Sequence, residues 1–236
     1  MPEAEDPLRS EAAALKASAA GELLARLDAF HFAPRVVLDL GAGTGRTARE
    51  LRRRYPRALV IALDRSAEML RQAAREQRLW RRFARVCGDA LHLPLQDASV
   101  DVAFSSLMLQ WCEPLEAALG EVRRVLKPEG LFAFSALGPA TPTELRDAWA
   151  QADGCSHMSR LRDVQELGDA LVRSGLMEPV LDVDRVALGC PGAQRPVICE
   201  IIYGVSWGAS GRPAAAVSDG VARIAPGSIG RSRRAP

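Results

Sequence analysis

Three aspartates and a glycine cluster are spaced along this sequence in a way that can do chemistry together. Gly41-Ala-Gly-Thr-Gly45 follows directly on an apolar run. A glycine turn between a strand and a helix brings bare backbone against a ligand at the sheet edge. Asp39 stands two residues before the first glycine, where a carboxylate would repel phosphate but attract an ammonium or a sulfonium, with solvent screening the attraction. Asp64 closes the next apolar run, where an acid can accept hydrogen bonds from both hydroxyls of a ribose. Asp89, in Gly88-Asp-Ala90, adds a third carboxylate suited to the exocyclic amine of adenine. Any one of these acids would serve equally well as a turn or helix cap. Together with the glycines they spell an adenosine that carries positive charge. The glycine spacing also speaks against a nicotinamide dinucleotide, because Arg46 stands where GxGxxG requires its third glycine.

The elements that must hold these residues alternate. A helical stretch over 10–27, with Ala14, Leu15, Leu23, Leu24 and Leu27 on one face, precedes the first strand at 35–40. A helix marked by Ala48, Leu51 and Tyr55 follows the glycines, then a strand at 58–63. Ser66 next caps a helix with Met69, Ala73 and Trp80 on one side. Further strands are predicted at 83–86, 100–105 and 131–136. A helix over 115–126 lies between the last two and ends at Lys127-Pro-Glu-Gly130. Helices through Trp149 and over 164–174 come next. Two β-runs, 179–188 and 197–207, are separated only by 189–196, a length that favours an antiparallel hairpin. The expected fold is therefore α/β, a doubly wound, mostly parallel seven-stranded sheet with an antiparallel C-terminal hairpin. Residues 1–208 read as one domain with its core from about 34, and 209–236, rich in Gly, Ser, Pro, Ala and Arg, as a disordered tail.

Val37-Leu-Asp-Leu-Gly-Ala-Gly-Thr-Gly45, Ala62-Leu-Asp64 and Gly88-Asp-Ala90 resemble the class I S-adenosylmethionine methyltransferases. Phe104-Ser-Ser-Leu-Met-Leu-Gln-Trp111, Leu126-Lys-Pro-Glu-Gly130, Phe134-Ser-Ala-Leu-Gly-Pro139, Glu144-Leu-Arg-Asp-Ala-Trp149 and Asp153-Gly-Cys-Ser-His157 narrow the resemblance to the malonyl-acyl-carrier-protein O-methyltransferases of biotin synthesis. It implies S-adenosyl-L-methionine as cofactor, and malonyl-acyl-carrier protein or malonyl-CoA as acceptor, methylated on its free carboxylate. It also implies cofactor contacts at Asp39, Gly41, Ala42, Gly43 and Asp64, and at Arg65, Met69, Asp89, Ala90 and Ser105. Two departures stand out. A largely helical insertion of the family between its last two strands is replaced by 189–196, and the N-terminal segment over 1–21 is altered. Ser159 also stands where the family typically has asparagine. The expectation is a retained fold and cofactor site with impaired acceptor binding. A cofactor-binding relative without this activity, or a hydroxylase- or assembly-factor-like member of the superfamily, is the alternative.

Composition sets the outer limits. A net charge of +2, with aromatic residues not interleaved among the basic ones, does not suggest nucleic acid. Five scattered cysteines without a CxxC pair suggest neither disulfides nor a metal site. With no apolar run near the eighteen or so residues a membrane span needs, a cytoplasmic monomer is expected. Arg71, Arg75, Arg78 and Arg82 form a basic stripe on the second helix after the glycines; a solvated face explains it better than a carrier-docking surface. Trp111 and Trp149 are candidates for the acceptor pocket or for the core, and His157 reads as structural. No catalytic residue is expected, because a malonyl carboxylate is ionised at neutral pH and needs no base.

Overall fold

The structure is a computed structural model and describes residues 7–30, 33–77, 82–152, 158–188 and 197–209. Trp80, Arg78, His157, the 189–196 connection and the tail beyond 209 lie outside these residues. Seven strands form one sheet: β1 (Val36–Leu40), β2 (Leu59–Asp64), β3 (Ala84–Cys87), β4 (Val100–Ser106), β5 (Leu126–Leu137), β6 (Met177–Leu188) and β7 (Val197–Trp207). Their order is β3-β2-β1-β4-β5-β7-β6. The first five pair in parallel, and β7 runs antiparallel to both β5 and β6. This is the expected doubly wound sheet with its antiparallel hairpin. The order reverses between β1 and β4, and the carboxyl ends of the strands flanking such a point form the crevice where open α/β sheets bind ligands.

Among the described residues, six α-helices accompany the strands: α1 (Pro7–Arg26), α2 (Arg46–Arg54), α3 (Ala67–Arg75), α4 (Leu115–Val125), α5 (Thr143–Ala152) and α6 (Val164–Arg173). One core cluster joins α1, α2, α5 and Ala73 of α3 to Val37, Phe104 and Ala133 on one face of the sheet. The other joins α4 and α6 to Leu38, Ala103 and Phe132 on the opposite face. Strands buried on both sides read as nearly continuous apolar runs, which is why β1, β2 and β5 stand out in the sequence.

Several boundaries and faces differ from expectation. The buried stripe of α1 is Ala12, Leu15, Ala19 and Leu23, continued by Leu27 in a single 3-10 turn, while Ala14 is exposed. The core thus begins well before residue 34. The small alanines matter here, since they let the helix lie close against the sheet. β5 starts at Leu126, five residues early, because Leu126 pairs with Val100 before an irregularity between Val100 and Val102 admits Lys127-Pro-Glu-Gly130. α3 ends at Arg75, so Arg82 lies beyond it and the arginine stripe does not continue as one helix face. Arg71 and Arg75 are exposed, as a solvated face would be.

One carboxylate ties the start of β1 to its neighbours. Asp101 Oδ2 accepts from the N–H of Arg35 at 2.9 Å and of Val36 at 2.8 Å, and Oδ1 accepts from Lys127 Nζ at 2.7 Å. Burial works against its ionisation, but the Lys127 ammonium and the two amides outweigh it and hold its pKa below the usual carboxylate range. A lowered pKa contributes stability that is present above about 3.8 and lost as pH falls through the lowered value. Asp101→Asn is expected to cost about 1–2 kcal/mol at neutral pH. The difference from the parent should shrink in denaturant titrations below pH 4.

Candidate functional site

The glycine turn connects β1 to α2 at the reversal of strand order. Gly41, Gly43 and Gly45 all adopt left-handed backbone, with φ of 78°, 52° and 74°. The N–H groups of Gly41 and Ala42 both donate to the Leu63 carbonyl, at 2.9 and 3.0 Å, which clamps the turn to the end of β2. The three glycines have different neighbours. A Cβ on Gly45 would lie 2.8 Å from the Phe83 ring and 3.0 Å from Ala73, so this glycine serves the packing of α2 against α3 and the start of β3. A Cβ on Gly41 would lie 2.3 Å from Cγ of Met108. On Gly43 it would meet nothing nearer than Met69 Sδ at 3.7 Å. Gly43 is thus the least crowded of the three, with only the Met69 thioether in ordinary contact on that side.

Asp39 differs from a rim-standing acid. It is 2% exposed, on the α2 face of the sheet, and Oδ2 has no hydrogen-bond partner. Burial, reinforced by the charge of Asp64 and only partly offset by a hydrogen bond from the Ala48 backbone, pushes its pKa up to about 8. A buried carboxylate oxygen without a donor is costly. A cationic ligand, or a proton in its absence, would relieve that cost.

Asp64 sits at the end of β2 and holds the turn directly: Oδ2 accepts from the Gly43 N–H at 2.8 Å, and Oδ1 from the Ser66 N–H at 2.8 Å. Its expected ribose role and the cap reading are compatible, because each carboxylate oxygen retains a further lone pair. Ser66 in turn caps α3 through the Met69 N–H at 3.3 Å, which leaves Met69 half-buried beside Gly43. Arg65 and Asp89 are exposed and Ala90 is half-buried. Asp89 Oδ1 accepts from the Leu91 N–H at 2.9 Å. Both charges reach the same neighbour, Cys112. Its thiol is pushed up to about 12 chiefly by burial, with Asp89 raising it further and Arg65 opposing. The ends of β2 and β3 and the segment after β4 thus share one neighbourhood. Ser105 is fully buried with an unpartnered hydroxyl, and strand alternation places it with Ala103, on the face opposite Asp39.

The segment after β4, which carries part of the family resemblance, supplies residues with no site role assigned from the sequence. Leu107 takes a left-handed φ of 51°, unusual for leucine. It is held there by N–H donation to the Ser135 carbonyl at 2.9 Å and to the Ser135 hydroxyl at 3.2 Å. Such strain persists where surroundings over-determine it, and functional sites are common among these places. The next residue, Met108, lies over Gly41 and accepts the Cys112 thiol at 3.3 Å. Ser106 and Ser135 hydroxyls meet at 3.1 Å at the ends of β4 and β5. Ser159 donates to the Gln110 carbonyl twice, from its N–H at 3.0 Å and its hydroxyl at 2.6 Å. Trp149 is fully buried, with Lys16 Nζ 5.3 Å from its ring centroid and Nε1 unpartnered, whereas Trp111 is half-buried. No cluster of metal-ligating side chains and no helix long and apolar enough to cross a membrane occurs among the described residues.

The family described as "Methyltransferase domain" matches residues 38–134, from the middle of β1 through most of β5. The malonyl-[acyl-carrier protein] O-methyltransferase of Halorhodospira halophila is 36% identical, over 95% of this chain and 91% of that protein. The namesake from Laribacter hongkongensis is 45% identical over 75% of this chain. The chain spans 62% of that relative and 52% and 60% of two others of the same name. The Halorhodospira alignment has 269 positions, yet 95% of a 236-residue chain fills only about 224 of them. Some forty-five positions of that relative have no counterpart here. Among solved structures, a Thermotoga maritima S-adenosylmethionine-dependent methyltransferase shares the fold at a TM-score of 0.59 and 21% identity, over 81% of this chain and 90% of that one. The [4+2]-cyclase SpnF does so at 0.60 and 18%, over 81% of each. A protein titled as a cyclase thus has the same architecture, and the fold alone does not choose a reaction.

Proposed function

This chain belongs to the malonyl-[acyl-carrier protein] O-methyltransferase family, and from that premise we propose that it methylates the free carboxylate of a malonyl thioester in the synthesis of a biotin precursor. The acceptor would be carried on acyl-carrier protein or coenzyme A. Family membership implies S-adenosylmethionine as the cofactor. The residues present fit that group. The observation that carries the fit is the buried, unpartnered Oδ2 of Asp39 beneath a turn whose Gly43 has only the flexible Met69 side chain beside it. Gly41, Ala42 and Gly43 would lie along the cofactor, with Asp64, Arg65 and Met69 toward its ribose. Asp89 and Ala90 would take its base, and Ser105 is assigned to the cofactor with them.

When bound, the cofactor supplies an electrophilic methyl group on a sulfonium. The malonyl carboxylate is already ionised at neutral pH, so the protein's own work is to hold it in line with that methyl and to exclude water. No side chain is needed as acid or base, and none is assigned as one. The proposal takes residues 1–208 as a single domain acting as a cytoplasmic monomer, without nucleic acid as partner.

A second reading is favoured by the forty-five or so unmatched positions in the Halorhodospira alignment and by the eight residues separating β6 from β7. On it, the chain keeps the cofactor site but not acceptor turnover. Incubation of the purified protein with methyl-labelled S-adenosylmethionine and malonyl-acyl-carrier protein, beside unloaded carrier, separates the two. Label on the malonyl form alone is the expected result. Binding of S-adenosylhomocysteine without any label transfer would select the second reading, and binding of NAD in its place would dismiss both.

A further inference from the structure

Two neighbouring donors on α5 have nothing to donate to. Trp149 is fully buried and its indole N–H is unpartnered; one helical turn before it, the Nε of half-buried Arg146 is buried and unpartnered as well. Residues three apart on a helix are neighbours on its surface, and Leu145 and Trp149 turn the adjoining face to the core. Arg146 also stands apart in its charge. Among the described residues, the half-buried Arg26, Arg49, Arg54, Arg124 and Arg162 each meet a carboxylate, and Arg52 donates to backbone carbonyls. Within the same set, the Arg146 side chain has neither kind of partner. A guanidinium and an indole N–H can only donate, so what this pair calls for is an acceptor. Leaving such donors dry is costly.

The place in the fold narrows the acceptor's chemistry. α5 follows β5 after residues 138–142, so it begins at the carboxyl-end rim where the glycine turn lies. Trp149 belongs to the same core cluster as Ala42 of that turn and Leu107 beyond β4. Lys16 Nζ, over the Trp149 ring, makes the surroundings more positive still. Two N–H donors side by side, one of them cationic, match the two oxygens of a carboxylate. Arg146, partly exposed, marks the solvent side of the pair, and Trp149 the inner side. We propose that Arg146 and Trp149 seat a ligand carboxylate and thereby select an acidic ligand over its neutral counterpart. Two groups bring a carboxylate to this rim on the reading given under Proposed function, on which the assignment rests: the acceptor and the amino-acid end of the cofactor. An acceptor seated there loses its hold once esterified, since a neutral ester offers a guanidinium no charge.

The test measures binding of malonyl-coenzyme A and of its neutral methyl ester to the S-adenosylhomocysteine-bound protein by calorimetry, for the parent, Arg146→Gln, Arg146→Lys and Trp149→Phe. Affinities for S-adenosylhomocysteine and for 5′-methylthioadenosine, which lacks the amino-acid end, are taken alongside, with unfolding temperatures. The expected result is a parent that prefers the acid about tenfold, a preference lost in Arg146→Gln, partly kept in Arg146→Lys and reduced in Trp149→Phe. Unfolding temperatures should not fall, because Arg146→Gln and Trp149→Phe each remove a buried donor that has no partner. Weaker S-adenosylhomocysteine binding in Arg146→Gln, with 5′-methylthioadenosine unaffected, would support the seat with the cofactor's carboxylate as its occupant. If neither the preference nor the S-adenosylhomocysteine affinity changed in the variants, whatever the unfolding temperature did, the seat would be overturned. The labelled-methyl assay reports separately on the reading beneath it. Label transfer by the parent with no change in the variants would leave that reading standing and remove the seat, and the converse would do the opposite.

Discussion

Replacing Asp39 by asparagine should weaken S-adenosylhomocysteine binding by about 10- to 100-fold, the range set by losing one charge-assisted, desolvated contact. The fold should survive the change. Asparagine has nearly the same shape, and it removes a group whose ionisation is opposed by burial and by Asp64. The pH dependence carries the sign. With a folded-state pKa of about 8 against 3.8 in the unfolded chain, the ligand-free protein holds a proton that the unfolded chain has released. Its contribution to stability is full below about 3.8 and declines as pH rises toward 8. The asparagine variant should lack that decline. Binding of a cationic ligand should pull the proton off near pH 7 and strengthen as pH approaches 8. Calorimetry in two buffers of different ionisation enthalpy reads the released proton. Equal affinity in parent and variant, with no proton released, would show that this carboxylate does not serve the ligand.

Two alanine substitutions inside the five-residue glycine turn should have opposite effects. Gly45→Ala forces a methyl to 2.8 Å from the Phe83 ring in a left-handed backbone, and strain plus overpacking should cost about 2–4 kcal/mol, or roughly 5–12 °C in Tm. Cofactor affinity of the surviving folded fraction should change little. Gly43→Ala meets only Met69 Sδ at 3.7 Å, so its stability cost should stay near 1 kcal/mol, that of the left-handed backbone alone. Its methyl would instead occupy the less crowded side, and S-adenosylhomocysteine affinity should fall at least tenfold. If Gly43→Ala bound normally, that side of the turn would not be the cradle.

The strand, turn and helix succession could be read from sequence because buried parallel strands give short apolar runs and the turn is marked by three glycines. The C-terminal hairpin followed from the length of a single connection. What escaped depends on three-dimensional neighbours. Asp39 was expected at the rim, yet whether a strand-end side chain reaches solvent depends on how closely α2 is laid over it, and here the Ala48 backbone of α2 hydrogen-bonds the carboxylate. On α1, alanine and leucine are nearly interchangeable in a periodicity count, so the face through Ala12 and Ala19 was set by proximity to the sheet. The start of β5 was missed because Lys127-Pro-Glu-Gly130 looks like a helix stop and a strand irregularity absorbs it. Met108 and Gln110 stand inside a stretch that carries the family resemblance, and Ser159 replaces an asparagine of the family, yet their residue types alone assign none of them a role, since methionine, glutamine and serine occur anywhere. For Met108 and Gln110 the position just beyond β4 at the reversal of strand order is the added signal, and for Ser159 its hydrogen bonds to the Gln110 carbonyl are.

β7, the last strand among the described residues, lies inside the sheet and not at its border. Until the ribosome has released residues up to about 207, β5 has no partner on one flank, and its Phe132, Ala133 and Phe134 stand as an open, sticky margin. The sheet is therefore completed only once β7 is made, and a stop before it would leave the β5 edge open to aggregation. The same arrangement frees the stretch between β6 and β7. As antiparallel neighbours they register on each other, so the framework on either side does not depend on the length of the chain that joins them.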